Sequence, residues 1–177
     1  MPDQSEIMDD LSSLISTDHF DIIQITETWI TSADLDIHNL LNNTNYSTFH
    51  SMRTEGRGGG VLTLIKSNLN PTRITTDSNL EMVITKIVEP LPLYLINFYN
   101  PNSTTTWVDE LVDAIINIPA RNESTPIILC GDFNSPNWSP LLTDHNPLDI
   151  DILLAETGLS QLLSPNQRNK LFGSPVL

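Results

Sequence analysis

Apolar residues recur along this chain with two different periodicities, and their alternation restricts the folds open to it. Residues 3–16, 105–117 and 148–154 carry apolar side chains at three- and four-residue spacing, which is typical of amphipathic helices. Short β-prone runs lie between them, at residues 21–26, 61–66, 80–87, 93–99 and 126–130. Interleaved helices and strands of this kind predict an α/β fold with layered sheets.

Several of these segments carry further expectations. Prolines separate the runs 80–87 and 93–99, which we expect to be antiparallel neighbours. The run 126–130 is wholly apolar and predicts a fully buried strand. Gly158 fits the C-terminal cap of the third helix. Residues 164–177 show no clear periodicity, so we expect a divergent tail.

Length and composition indicate a single globular domain over residues 1–177. The chain has 177 residues, of which 39% are hydrophobic and 17% are charged. Its one cysteine cannot form an internal disulfide, and we recognise neither a signal peptide nor a membrane-spanning run. We therefore expect an intracellular protein without a membrane partner. The net charge of -14 repels a polyanion, which weighs against tight nucleic-acid binding by this piece alone.

Three of the β runs end in polar residues, and strand ends are where layered α/β folds commonly place their ligands. These residues are Glu27, the sequence Tyr99-Asn100-Pro101-Asn102 and the sequence Gly131-Asp132-Phe133-Asn134. Each has an ordinary alternative when taken alone: a solvated loop acid, a turn with a half-buried tyrosine, or a Gly-Asp turn. The coincidence of three such strand ends indicates a functional site.

The residue types at these strand ends suit the chemistry of a phosphate ester. Glu27 offers carboxylate oxygens, the donors that Mg²⁺ prefers. Tyr99 and the neighbouring amides could orient a phosphate by hydrogen bonds without adding negative charge. If Phe133 points to the core, Asp132 and Asn134 face one pocket. Asp132 could then activate a water as general base while Asn134 holds the phosphate or the developing charge.

Four blocks of sequence occur in an order that is specific to one group of proteins. They are DIIQITETW at residues 21–29, GGGV at 58–61, NFYNP at 97–101 and GDFN at 131–134. This set resembles the endonuclease/exonuclease/phosphatase superfamily, and within it the apurinic-endonuclease-like domain of non-LTR retrotransposons, which accompanies a reverse transcriptase. The sequence GLSQL at residues 158–162 extends the resemblance, which covers about residues 5–163.

The resemblance implies a fold and an activity. The fold is a four-layer α/β/β/α sandwich of two packed mixed β-sheets flanked by helices. The activity is metal-dependent nicking of DNA that primes reverse transcription, with Mg²⁺ or Mn²⁺ as cofactor, no organic cofactor, and a nuclear location where the DNA is genomic. Glu27 matches the metal ligand and Tyr99 the tyrosine near the scissile phosphate. Asp132 and Asn134 match the pair that activates the nucleophile and binds the phosphate.

Two parts of the family pattern have no counterpart in the sequence. Family members open with a strand that ends in a metal-binding asparagine and close with a strand that bears an Asp-His pair. We therefore expect an incomplete sandwich, truncated at both ends, normally part of a longer polypeptide or a decayed copy, with weak or absent activity. Asp144-His145 mimics the closing pair but comes too early in the chain. Glu81 stands where retroelement domains often carry a strand glutamate, without an assigned role.

The remaining histidines and the cysteine have simpler interpretations. His19, His38 and His50 lie in loop-like stretches and are expected to be solvated. Cys130 lies within an apolar run and is expected to belong to the core.

Two other functions stay open at this point. A phosphomonoesterase or phosphoinositide phosphatase of the same fold would need a basic phosphate-binding loop, and with 8 Lys plus Arg residues none is obvious. A noncatalytic scaffold could bind a basic partner through its acidic face, as the net charge of -14 favours. Stabilisation by Mg²⁺ or Mn²⁺ that is lost in Glu27→Ala would separate a metal site from a scaffold.

Overall fold

The computed structural model describes residues 4–17, 19–31, 39, 41–42, 44–53, 58–101, 106–122, 124–134 and 149–162. The helices are α1 (Gln4–Ser16), α2 (Trp107–Ile116) and α3 (Asp149–Thr157). The strands are β1 (Ile22–Thr26), β2 (Tyr46–Ser51), β3 (Val61–Lys66), β4 (Thr72–Ile74), β5 (Glu81–Ile87), β6 (Leu93–Tyr99) and β7 (Ile127–Asp132). A short 3₁₀ helix, Ser67–Leu69, follows β3.

The predicted helices and β runs are all present, and two strands appear that the sequence pattern does not predict. Strand β2 has the sequence Tyr-Ser-Thr-Phe-His-Ser, in which only Tyr46 is buried. Strand β4 has three residues, too few to show an alternation. His50 lies in β2 and is half-buried, so the expectation of a solvated loop histidine is wrong there. A backbone ladder, rather than an apolar pattern, places it in the sheet.

The described strands form two sheets. In the first, β3 lies between β1 and β2 and is antiparallel to both. In the second, the order is β4-β5-β6-β7, and β5 and β6 are antiparallel as predicted. Strands β6 and β7 are parallel. A parallel pair needs a crossover connection, and α2 lies between these strands in the chain to provide it.

The two sheets pack face to face between layers of helix. The outer face of the first sheet packs on α1 through a cluster that includes Leu11, Leu62 and Leu64. The outer face of the second sheet packs on α2 and α3 through a cluster that includes Phe98, Leu111 and Leu153. Smaller apolar clusters lie between the sheets, formed by Val61, Val83 and Tyr99 and by Ile65, Ile87 and Leu95. The layers therefore follow the predicted α/β/β/α order.

Strand β7 is less buried than its apolar sequence predicts. Ile127 and Leu129 pack against the core under the helices, whereas Ile128 and Cys130 are exposed on the opposite face. In the described part of the chain, β7 stands at the end of the sheet and pairs with β6 alone. The predictions of a fully buried strand and of a core Cys130 are therefore wrong. Partial burial still raises the pKa of the Cys130 thiol.

The C-terminal end of α3 agrees with the sequence. Gly158 has a φ of 71° and its N–H donates to the Leu154 carbonyl at 3.0 Å, as a left-handed C-terminal cap requires. The predicted tail at 164–177 lies outside the described residues.

Asn97 joins the two sheets through polar contacts. It lies on β6, is fully buried, and directs its side chain between the sheets. Its Nδ2 donates to the carbonyl oxygens of Ile25 at 3.1 Å and Leu62 at 2.9 Å, and contacts Thr63 Oγ1 at 3.3 Å. Buried acceptors that lose such a donor are left without compensation for their lost water. Asn97 therefore holds β1 and β3 against β6.

Replacing Asn97 by alanine should destabilise the domain by about 3 kcal/mol, because the carbonyl groups of two strands lose their donor in the interior. The measurement is urea unfolding followed by far-UV circular dichroism. Asn117→Ala is the matched control, since Asn117 donates to the Asp113 carbonyl at an exposed helix end. That control should cost under about 1 kcal/mol. Equal losses in the two variants would contradict a special role for Asn97.

Candidate active site

The carboxyl ends of three strands from both sheets meet at one edge of the sandwich. Strands β6 and β7 are parallel, and the register pairs Tyr99 with Asp132. Strand β1 of the other sheet reaches the same edge, because Asn97 contacts Ile25 and, two residues later, Tyr99 contacts Glu27. The three strand ends that the sequence singled out are therefore brought together.

Glu27 and Tyr99 form a direct hydrogen bond across the two sheets. The Tyr99 hydroxyl donates to Glu27 Oε1 at 2.6 Å. Burial raises the pKa of Tyr99 to about 12, and the hydrogen bond to the Glu27 carboxylate adds to the shift. The phenol therefore stays protonated at neutral pH and acts as a donor. Glu27 itself is exposed, so its carboxylate remains accessible from solvent.

Asp132, the last residue of β7, forms a compact turn with Asn134. The Asn134 N–H donates to Asp132 Oδ1 at 3.1 Å, and Asn134 Nδ2 donates to the Asn100 carbonyl at 2.7 Å. Asn100 is buried and binds the turn in return, since its Nδ2 donates to the Phe133 carbonyl at 2.9 Å. The amide of Asn100 therefore ties the loop after β6 to the loop after β7, and Asp132 and Asn134 lie side by side.

Gly131 and Phe133, the other two residues of this block, explain why the turn needs its sequence. Gly131 has a φ of 147°, and a Cβ added there would lie 1.8 Å from the carbonyl oxygen of Phe98 on β6. Phe133 packs against Phe98 and Trp107, with ring centroids 5.5 Å and 5.9 Å apart. Phe133 therefore points to the core, as predicted, and anchors the turn.

A run of three glycines holds the backbone around Glu27. Glu27 and Trp29 have φ angles of 54° and 55°, a region that L residues rarely adopt. The N–H of Thr28 donates to the Gly60 carbonyl at 3.3 Å, and the N–H of Trp29 donates to the Gly59 carbonyl at 2.9 Å. These two bonds fix the segment that carries the Glu27 side chain.

An ion pair that the sequence did not predict lies beside these residues. Arg53 Nε binds Glu81 Oε1 at 2.6 Å, with 22% and 13% of the two side chains exposed. Glu81 lies next to Tyr99 in the register of β5 and β6. A charged residue at the start of a largely apolar strand was a usable signal, but its partner Arg53 comes 28 residues earlier in the chain. Nothing in the spacing connects them.

The other singled-out residues do not join the site. His19 is exposed between α1 and β1 and contacts the Thr17 carbonyl, in agreement with a loop histidine. His38 and the Asp144-His145 pair lie outside the described residues.

The donor set at this edge fits a hard divalent cation. In the part of the chain that the structure describes, no three His, Cys, Asp or Glu side chains come together as a metal-binding group. Mg²⁺ commonly binds through one or two carboxylates plus water and substrate phosphates, so a cluster of three is not required. Glu27 has an accessible carboxylate, and Asp132 supplies a second carboxylate near Tyr99. Glu27 is therefore a residue that could hold a hard divalent cation.

The fold and the site together define a class: layered α/β proteins in which carboxylate, phenol and amide groups meet at the ends of strands from two packed sheets. The chain belongs to the endonuclease/exonuclease/phosphatase family, whose model matches residues 8–174. No curated protein sequence matches it. No helix among the described residues is long and apolar enough to cross a membrane.

Solved structures with the same fold include ANGEL2, a 2′,3′-cyclic phosphatase. Its crystal structure has a TM-score of 0.54 and 20% identity, and the match covers 78% of this chain and 46% of that one. Its complex with adenosine-2′,3′-vanadate has a TM-score of 0.54 and 21% identity, and the match covers 78% of this chain and 47% of that one. The similarity to TDP2 from C. elegans is weaker. Its TM-score is 0.45 and its identity 17%, and the match covers 72% of this chain and 42% of that one. The chain spans less than half the length of these structures.

Proposed function

We propose that this chain carries a metal-dependent phosphodiester hydrolase site whose substrate is DNA, of the type found in non-LTR retrotransposon endonucleases. The observation that carries the proposal is the meeting of Glu27, Tyr99, Asp132 and Asn134 at one edge of the sandwich. Membership of a family of nucleases and phosphatases supports hydrolysis of a phosphate ester. The four ordered sequence blocks favour the retrotransposon type.

Each residue has a role that its contacts support. Asp132 accepts a proton from the attacking water, as a general base. Its Oδ1 already accepts the Asn134 N–H, which keeps the carboxylate oriented. Asn134 Nδ2 has two N–H groups, so donation to Asn100 leaves a second one for a phosphate oxygen. The protonated Tyr99 phenol orients Glu27 through its hydrogen bond. In the proposed mechanism it would also lie next to the reacting phosphate.

Glu27 would hold Mg²⁺ or Mn²⁺, and a bound cation would supply charge stabilisation at the phosphate and leaving oxygen. The cation also bears on the choice of substrate. A net charge of -14 opposes a DNA backbone, and cations at the site reduce that repulsion locally. We propose DNA as the partner within a longer polypeptide, and a nuclear location where the DNA is genomic.

The test is nicking of supercoiled plasmid by the purified chain at low salt, with and without Mg²⁺ or Mn²⁺. Nicking should require the cation, and Glu27→Gln should reduce it by about a hundredfold, because the loss of a charged ligand weakens cation binding. Asp21→Asn is the matched control, since it removes the same charge next to the other end of β1. That control should nick like the wild type.

Two results would redirect the proposal. A folded chain that nicks no DNA with either cation would leave a noncatalytic scaffold as the better reading, with the acidic surface as its binding face. A chain that ignores DNA but opens a 2′,3′-cyclic nucleotide would move the substrate towards the compound class named for ANGEL2. Running both substrates with Glu27→Gln tells which activity belongs to this site.

A further inference from the structure

The half-buried ion pair of Arg53 and Glu81 is connected to the backbone that carries Glu27. Glu81 binds Arg53 through Oε1 and accepts the Gly60 N–H through Oε2, both at 2.6 Å. The Gly60 carbonyl in turn accepts the Thr28 N–H. A continuous series of hydrogen bonds therefore runs from the ion pair to the residue that follows Glu27.

The glycine run fits closely against this ion pair. A Cβ added at Gly59 would lie 2.4 Å from Arg53 Nη2 and 2.6 Å from Glu81 Oε2. The Gly59 carbonyl accepts the Trp29 N–H at 2.9 Å. The ion pair thus contacts the same backbone that fixes both residues after Glu27.

A second connection passes through Tyr99. The Arg53 guanidinium lies over the Tyr99 ring, 5.9 Å from its centroid, which is within the range of a cation–π contact. Glu81 is also the neighbour of Tyr99 in the sheet register. The Tyr99 hydroxyl ends this path at Glu27 Oε1. Two separate paths therefore lead from one ion pair to one carboxylate, through its backbone and through its hydrogen-bond donor.

We infer that Arg53 and Glu81 are positioning residues that hold the Glu27 carboxylate in the orientation needed to bind a divalent cation, an inference that rests on the proposed function of Glu27. In this role neither residue would contact the substrate or the cation. Groups that orient a metal ligand in this way typically change metal affinity by about 10- to 100-fold when they are replaced. If the ion pair of Arg53 and Glu81 only stabilised the fold, replacing either residue would leave the cation affinity unchanged.

The experiment compares Glu81→Gln with the wild-type chain in two measurements. The first is hydrogen exchange of the Thr28 and Trp29 amides without any cation, which should become about tenfold faster because local opening of this segment becomes easier. The second is Mn²⁺ binding, followed by the electron paramagnetic resonance signal of free Mn²⁺, which should weaken at least about tenfold. Arg53→Lys keeps the positive charge and serves as a second variant in case Glu81→Gln fails to fold. Its increase in amide exchange and its loss of Mn²⁺ affinity should both be smaller than those of Glu81→Gln.

Asp21→Asn is again the matched control, because Asp21 pairs with Lys66 at 3.2 Å while 71% of the Asp21 side chain is exposed. Breaking this exposed pair should alter neither measurement. Unchanged exchange in Glu81→Gln, or faster exchange with wild-type Mn²⁺ affinity, overturns the inference. If Glu27→Gln binds Mn²⁺ as tightly as the wild type does, the proposed function of Glu27 is overturned instead. The hydrogen-exchange measurement still decides whether the ion pair holds the segment after Glu27.

Discussion

Gly131→Ala should give no soluble folded protein. A Cβ at this position would lie 1.8 Å, 2.7 Å and 2.9 Å from the O, C and N atoms of Phe98, all of them backbone atoms on the paired strand. The backbone cannot move aside without breaking the hydrogen-bond ladder between β6 and β7. The free energy of unfolding should therefore fall by more than about 4 kcal/mol. That is a large part of the roughly 5–15 kcal/mol that stabilises a domain. Soluble yield and circular dichroism measure the outcome.

Gly158→Ala is the control for the same substitution. Gly158 also has a positive φ, 71°, but a Cβ there meets no atom within 4 Å. Alanine at Gly158 therefore pays only for its left-handed backbone, about 1 kcal/mol, and the protein should remain folded. If Gly131→Ala folds as well as Gly158→Ala, the close approach of β7 to β6 is not as the structure describes.

Asp132→Asn should lower the rate of phosphodiester cleavage by about a thousandfold while leaving the fold intact. The substitution is nearly isosteric, and an amide oxygen can still accept the Asn134 N–H that Asp132 accepts now. What it removes is the basic carboxylate that, in the proposed mechanism, takes the proton from water. The measurement is single-turnover cleavage of a labelled DNA duplex at saturating Mg²⁺, with the melting temperature recorded alongside.

The control is Asp113→Asn, which removes the same charge from an exposed position on α2. It should retain wild-type cleavage. If Asp132→Asn cleaves within about threefold of the rate of that control, Asp132 is not the general base, since a positioned base contributes at least about a hundredfold in rate. A large drop in melting temperature would instead assign the loss to the turn itself.

The layered architecture could be predicted because strong periodicity coincides with buried surfaces. Strands β3, β5 and β6 are rich in apolar, β-prone residues and are largely buried. Strand β2 escaped prediction because its residues are mostly polar and half-buried, so that hydrogen bonds to β3 define it rather than an apolar run. The exposure of Cys130 was mispredicted because an apolar sequence does not reveal a strand's place in a sheet.

In the candidate site, the residues within short sequence blocks could be predicted, whereas contacts between distant parts of the chain could not. Glu27, Tyr99, Asp132 and Asn134 stand at strand ends within short blocks, so their meeting follows from the order of the blocks and the resemblance. The pairing of Arg53 with Glu81 depends on the loop after β2 of one sheet meeting the first residue of β5 in the other sheet. The sheet-bridging role of Asn97 likewise appears only once β1 and β3 face β6.

The hydrogen bond from Tyr99 to Glu27 has a consequence for partly folded forms of the chain. One sheet supplies the carboxylate and the other supplies the phenol, Asp132 and Asn134. A collapsed state that kept every helix and strand but let the sheets separate would retain its far-UV circular dichroism and lose the orientation of Glu27, the proposed cation ligand. Cation binding would then report the closure of the sandwich, and it should disappear before secondary structure does as denaturant is raised.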